Sequence, residues 1–193
     1  MNICVYGASS NAIDKSYISA TEELGRKMAE KGHTLVYGGG SGGLMGAAAR
    51  GMTEKNGTII GITPEFFKVD GELYDKCTEM IYTKDMSERK SLLINMSDAF
   101  IVAPGGFGTY DELFETLATR QLGTHNKPTV LFNVNGYYNI MNELLKNTAE
   151  QGFMISECLD LVETFEDVDK LLDYLENYNP EGKEFSVLRK LGK

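Results

Sequence analysis

The chain has few of the residues that usually carry acid–base or metal chemistry. It holds two histidines, His33 and His125, and three cysteines in 193 residues. Each histidine falls in a helix-to-strand connection and reads as a surface residue without a role, so no His-rich metal centre is expected. Serines such as Ser9, Ser10 and Ser41 find no histidine with which to build a Ser-His-acid set. Cys4, Cys77 and Cys158 are odd in number, and their spacings match no zinc or redox motif. They read as reduced core residues, a usage that suits the cytoplasm. The stretch Met1 to Tyr6 enters a strand directly, without the charged start and long apolar segment of a signal peptide. No apolar run is long enough to span a bilayer, so no membrane partner is expected. Cations are also scarce. Lys and Arg number 19 against 28 Asp and Glu, a formal net charge of −9. A nucleic-acid polymer binder shows a basic face, which argues against that class. A small anion stays open as a ligand, because main-chain amides and a few cations act locally.

What is present is a regular alternation of strand and helix. Strands are expected at Asn2 to Tyr6, His33 to Tyr37, Gly57 to Thr63, Thr78 to Thr83, 99–103, Pro128 to Val134 and Leu159 to Glu163. Helices are expected between them, with Tyr17, Ala20, Leu24 and Met28 at helical spacing in the first. The others run over Leu44 to Glu54, Asp85 to Asn95, about 109–122, Tyr137 to Gln151 and Phe165 to Tyr178. Glu65 to Lys76 reads as a loop with a short helix. This order predicts an α/β fold, a Rossmann-like doubly wound parallel sheet with helices on both faces. Residues 1–178 read as a single domain, and 179–193 as a polar C-terminal tail.

Three glycine clusters, at 7–8, 38–43 and 105–108, all follow strands. A parallel sheet places every strand end on one edge, so the clusters should converge where open α/β sheets bind ligands. Gly38 to Gly43 fits G-x-G-x-x-G, but it follows the second strand. The acid expected about 20 residues on has only Glu65, beyond Pro64, as a candidate. A nicotinamide cofactor therefore fits poorly, and tight helix–sheet packing is an alternative use of these glycines. The lysine-bearing P-loop pattern is absent, which argues against triphosphate hydrolysis. Pro104-Gly-Gly-Phe-Gly-Thr-Tyr-Asp-Glu112 joins an apolar strand to a helix and presents bare amides at the helix N-terminus, a phosphate-binding arrangement. Asp111 and Glu112 are expected in the first turn of that helix. There they serve either chemistry or the helix dipole. Arg89 and Lys90 form an adjacent pair of cations on a helix. They read either as a solvated face or, for the planar fork of Arg89, as a phosphate or ribose contact.

Val36-Tyr-Gly-Gly-Gly-Ser-Gly-Gly-Leu-Met-Gly46, Met86-Ser-Glu-Arg-Lys90 and Pro104 to Glu112 together resemble the LONELY GUY family. These are cytokinin riboside 5′-monophosphate phosphoribohydrolases, often labelled lysine decarboxylases. Gln121 to Pro128 and Asn133-Val-Asn-Gly-Tyr-Tyr138 resemble the stretch that follows in that family, and the similarity runs from about residue 2 to 175. The resemblance implies a homodimer or larger assembly, with the active site near a subunit interface. It implies hydrolysis of the N-glycosidic bond of a purine nucleoside 5′-monophosphate, AMP or an N6-substituted AMP, with no metal or organic cofactor. Arg89 and Glu112 match the family's catalytic pair, and Gly105, Gly106, Phe107, Gly108 and Thr109 its phosphate-binding turn. Ser9, Ser10, Gly39, Gly40, Gly43, Met86, Lys90 and Asp111 complete the expected substrate contacts. Asp111 is a departure, since the family commonly has Glu there.

On this basis the phosphate would rest on the amides of Gly106, Gly108 and Thr109, helped by the Thr109 hydroxyl. Ionised Glu112 would stabilise positive charge on the ribose and orient water, and Arg89 would anchor the ribose or phosphate. Three other readings stay open: a non-catalytic carrier of a nucleotide-like or molybdenum cofactor, a pyridoxal-phosphate decarboxylase using Lys90, and a structural or interaction protein with a vestigial site.

Overall fold

Seven short segments, the central ones largely apolar, become seven strands, each bounded by glycine, proline or a capping residue that ends it. The computed structural model describes residues 1–69 and 71–180. Its strands are β1 (Asn2–Tyr6), β2 (Thr34–Tyr37), β3 (Thr58–Pro64), β4 (Glu79–Thr83), β5 (Ala99–Val102), β6 (Thr129–Phe132) and β7 (Glu163–Phe165). Its helices are α1 (Lys15–Glu30), α2 (Gly43–Glu54), α3 (Met86–Met96), α4 (Phe107–Gln121), α5 (Asn139–Glu150) and α6 (Val168–Glu176). All strand pairings are parallel, in the order β4-β3-β2-β1-β5-β6-β7.

Side chains alternate across the sheet, as strand geometry requires. Ile3 and Val5 point toward α1, α2 and α6, where Leu24, Met28, Ala48, Met52, Leu171 and Leu175 close one core. Cys4 and Tyr6 point the other way, into a core with Leu93, Leu113, Leu117 and Tyr138. Helices cover both faces, which is why β5 is apolar throughout and β1 and β6 are apolar after their first residues, Asn2 and Thr129.

The chain builds outward from β1 through β4, then crosses over to lay β5, β6 and β7 on the other side. The reversal falls between β1 and β5. Loops leaving the two strands there diverge and open a crevice at the carboxyl edge.

The two largest departures from the expected boundaries fall beyond residue 150. The segment read as a strand at Leu159 to Glu163 forms a 3-10 turn over Ser156–Leu161, with β7 following at Glu163–Phe165. Cys158 and Leu161 bury one side of the turn at a spacing of three, so the apolar residues there follow a 3-10 period rather than a strand's. The last helix begins at Val168 rather than Phe165, because Asp167 caps it by accepting from the Lys170 amide. Of the predicted tail, Asn179 and Pro180 are described, and Asn126 donates to the Pro180 carbonyl at 3.0 Å. The rest lies outside the described residues. No helix among them is long and apolar enough to cross a membrane.

Candidate active site

At the crevice lies a cavity of about 660 Å³, within the range of small-molecule sites. All three glycine clusters meet there: Gly7, Gly38, Gly40, Gly42, Gly106 and Gly108 line it. Ser9, Ser10, Met86, Arg89, Phe107, Thr109, Asp111 and Glu112 line it too. Gly39, Gly43, Lys90 and Gly105, expected there too, are not among the lining residues.

The two glycine-to-helix turns look alike in sequence but use their amides differently. At α2, the Ala8 carbonyl accepts from Leu44 at 2.8 Å and Met45 at 3.3 Å, and Asn11 Oδ1 accepts from the Gly43 amide at 2.8 Å. The chain itself consumes that helix end. At α4 the N-cap is Gly106, which has no capping side chain. The first amide of this turn to find a main-chain acceptor is that of Tyr110, bonded to the Gly106 carbonyl at 3.0 Å. Among the described residues, the amides of Gly106, Phe107, Gly108 and Thr109 have no acceptor and face the crevice as a nest for an anion. Thr109 is buried and packs against the Cα of Gly105, where a Cβ would collide with its hydroxyl.

One turn further along α4 lies Glu112, about 6 Å along the axis from Gly108. Asp111 and Glu112 therefore occupy the second turn rather than the first. The helix begins at Phe107, two residues earlier than the sequence suggested, and its first turn carries no acid. Glu112 meets Arg89, whose Nη2 lies 3.4 Å from Glu112 Oε1, with side-chain exposures of 11% and 10%. The solvated-face reading of Arg89 does not hold. It is buried, and its Nε donates to the Ile62 carbonyl at 3.1 Å, near the carboxyl end of β3. Asp85 caps α3 by accepting from the Glu88 amide, which fixes the turn from which Arg89 projects. The guanidinium fits because residue 38 has no side chain, since a Cβ there would overlap Nη2.

Burial dominates the electrostatics of Glu112. Loss of water pushes its carboxyl up to about 7, Arg89 draws it back down, and Asp111 raises it further. Beneath it, burial raises the Cys4 thiol and the Tyr6 phenol, so both stay neutral. Tyr6 Oη shares a 3.2 Å hydrogen bond with Thr116, whose Oγ1 donates to the Glu112 carbonyl at 2.8 Å. The result is a carboxyl near neutrality beside a fixed cation, adjoining an anion nest.

Lys90 turns from the cavity to Glu115 at 2.5 Å and Asp111 at 3.0 Å. The pair with Glu115 chiefly raises its pKa, opposite to what a Schiff-base lysine needs. The histidines are not the surface residues expected. His33 is buried and bonded to Glu176 at 2.9 Å, and His125 packs on Phe100, with burial lowering its pKa to about 4. Asn11, Thr63, Phe67, Glu72 and Leu73 also line the cavity and were not singled out in the sequence, and Ser41 and Met45 of the second glycine loop join them. Phe67, Glu72 and Leu73 belong to the irregular segment before β4. It is tied to the second glycine loop by a Gly40–Leu73 bridge and the Ser41 amide on the Glu72 carbonyl at 2.9 Å.

Comparison with known proteins finds relatives of the chain in sequence and in fold. A family profile described as "Possible lysine decarboxylase" matches residues 45–175. Cytokinin riboside 5′-monophosphate phosphoribohydrolase LOG5 of Arabidopsis thaliana is 36% identical over 181 residues, covering 92% of this chain and 78% of its own. LOG3 of the same plant is 36% identical over 178 residues, covering 92% and 83%. Among solved structures, the molybdenum cofactor binding protein from the phototrophic bacterium Rippkaea orientalis superposes with a TM-score of 0.70. It is 24% identical, with 91% and 94% of the two chains covered, and shares the fold. The chain belongs to the LONELY GUY family.

Proposed function

We propose that this protein hydrolyses the N-glycosidic bond of a purine nucleoside 5′-monophosphate, releasing the free base and ribose 5-phosphate. The base is adenine or an N6-substituted adenine. The observation that carries the reading is the Arg89–Glu112 pair set one helical turn from a nest of free amides. The relatives named as cytokinin riboside 5′-monophosphate phosphoribohydrolases support it.

The 5′-phosphate lies on the amides of Gly106, Gly108 and Thr109, with the Thr109 hydroxyl as a further donor. Ser9, Ser10 and the Gly38 to Gly42 loop close the other side. Breaking the C1′–N9 bond builds positive charge on the ribose, as in glycoside cleavage. Ionised Glu112 stabilises that charge and takes a proton from the attacking water. A carboxyl poised near 7 suits that exchange better than an ordinary one near 4.5. Arg89 keeps Glu112 oriented and reaches the ribose or phosphate oxygens. Lys90 fixes Asp111 at the rim. The reading calls for no cofactor. An inert carrier of an anionic cofactor gains nothing from a buried carboxyl beside its anion site, which favours the enzyme.

The reading includes a cytoplasmic homodimer. Supporting the dimer, α5 buries none of its residues and leaves Ile140 78% exposed, with Phe153 beyond it at 86%. The three free cysteines suit a reducing compartment.

The test is product release from AMP and from adenosine, with wild type and Glu112→Gln. Wild type should free adenine from AMP and not from adenosine. The variant should bind AMP yet lose about 10²–10³ in rate, as for other lost electrostatic stabilisers. Equal rates on the two substrates would remove the phosphate site from the account, and a fully active variant would remove Glu112.

A further inference from the structure

The turn that presents the free amides is held from behind by its carbonyls. Tyr138 Oη donates to the Ala103 carbonyl at 2.7 Å. The Ala8 amide donates to the Pro104 carbonyl at 3.0 Å. Tyr137 Oη donates to the Gly105 carbonyl at 2.6 Å. In a planar trans peptide the C=O and N–H of one unit point in opposite directions. Tethering the Gly105 oxygen to the rear therefore aims the Gly106 N–H to the front, into the cavity. The Ala8 amide, from a residue that lines the cavity, fixes the Pro104–Gly105 peptide, and the Tyr138 tether fixes the end of β5 from which the turn departs.

The tyrosines are themselves immobilised. The chain leaves β6 through a 3-10 turn at Val134–Gly136, in which Asn135 (φ 54°) and Gly136 (φ 71°) are left-handed and swing residues 137 and 138 under the glycine turn. Tyr138 is fully buried, and its amide donates to Asn133 Oδ1 at 2.7 Å. Asn133 Nδ2 donates in turn to Asn139 Oδ1 at 2.9 Å. Tyr137 packs edge-on against Tyr138 at 5.0 Å and Tyr17 at 6.3 Å. Its single O–H goes to Gly105, so Tyr110 Oη, 2.9 Å away, is the donor in their contact. Neither Tyr137 nor Tyr138 lines the cavity.

We propose that Tyr137 and Tyr138 are positioning residues for anion binding: by fixing the Gly105 and Ala103 carbonyls, they hold the Gly106 amide at the angle the 5′-phosphate requires. This rests on the proposed function, in which the substrate phosphate occupies those amides. The hydroxyls never touch substrate and act through the main chain alone.

The experiment uses Tyr137→Phe and Tyr138→Phe. Each is assayed for kcat and KM on AMP and for the dissociation constant of ribose 5-phosphate, with unfolding measured alongside. Removing a tether should raise KM and the ribose 5-phosphate constant about five- to tenfold, the size of one net hydrogen bond, and change kcat less than twofold. Lower thermal stability with unchanged KM and ribose 5-phosphate affinity would make the tyrosines structural and overturn the proposal. Should the buried Tyr138→Phe fail to fold, the half-buried Tyr137→Phe decides alone. If wild type demands the phosphate while the variants bind as it does, the tyrosine assignment alone falls. If wild type cleaves adenosine as readily as AMP, the phosphate reading falls first and takes this proposal with it.

Discussion

Gly38→Ala is a substitution aimed at one atom. The backbone at Gly38 is not left-handed, so alanine is tolerated there. The added Cβ, however, falls inside the van der Waals surface of Arg89 Nη2, and the Met45 sulfur stands 3.2 Å from it on another side. Nη2 sits at the end of a long side chain, so the fold survives and the guanidinium moves. Restoring an ordinary contact of about 3.5 Å requires a retreat of at least ~1 Å. That takes the pair with Glu112 from 3.4 Å to about 4.4 Å. With an effective dielectric of about 20, the attraction weakens by about 1 kcal/mol. Less opposed by Arg89, burial then carries the Glu112 carboxyl from about 7 to near 8, since one unit is worth about 1.4 kcal/mol. The assay is the pH dependence of kcat/KM on AMP, with a urea melt as control. The rising limb should move up by roughly half to one unit, with kcat/KM at pH 7 reduced about two- to fivefold. A variant with wild-type kcat/KM and an unmoved limb would refute the claim that an empty Cβ position at residue 38 holds Arg89 and Glu112 together.

Two further outcomes follow from the same carboxyl. A folded-state pKa raised from 4.5 to about 7 means that the native protein resists ionising Glu112 while the unfolded chain does not, so stability falls as pH rises through that window. The full penalty, above pH 7, is at most ~3 kcal/mol. Glu112→Gln should therefore be 1–3 kcal/mol more stable than wild type at pH 8 and indistinguishable at pH 4, by urea unfolding, about the scale of the shift. A variant less stable at pH 8 would place the cost elsewhere. Lys90→Met removes a cation that lowers the Glu112 pKa and leaves Asp111 and Glu115 unbalanced, so the kcat/KM limb should rise by less than one unit. A limb that fell would show that Lys90 acts by another route.

Most of the fold is written locally. Glycine after strand, aspartate before α1, α3 and α6, and apolar runs between them place six of the seven strands close to where they fall. The 3-10 turn at Ser156–Leu161 misled because a short Leu-Asp-Leu-Val run fits a period of two and a period of three equally well. The site was legible in part. Arg89 and Glu112 stand in motifs with distinctive neighbours, and their 3.4 Å approach follows from two helices descending from β4 and β5. The division of labour between the two glycine turns was not legible. The sequences at 38–43 and 105–108 both promise bare amides, and the residues that cancel the promise at α2 are Ala8 and Asn11, more than 30 positions away. Hydrogen-bond partners across such distances leave no local periodicity. The burial of His33 and the partial burial of His125 escaped for the same reason, since Glu176 and Phe100 reach them from other elements.

The bridge between Gly40 and Leu73 has a consequence for how such a site can diversify. One wall of the cavity is rooted in β1, β5 and the two helices that bring Arg89 and Glu112. The opposite wall, with Phe67, Glu72 and Leu73, is carried on an irregular stretch attached to the rest by a handful of main-chain bonds. Exchange of side chains on that stretch can reshape which molecules enter while leaving the reactive hardware untouched, so ligand choice and catalytic competence are free to drift separately.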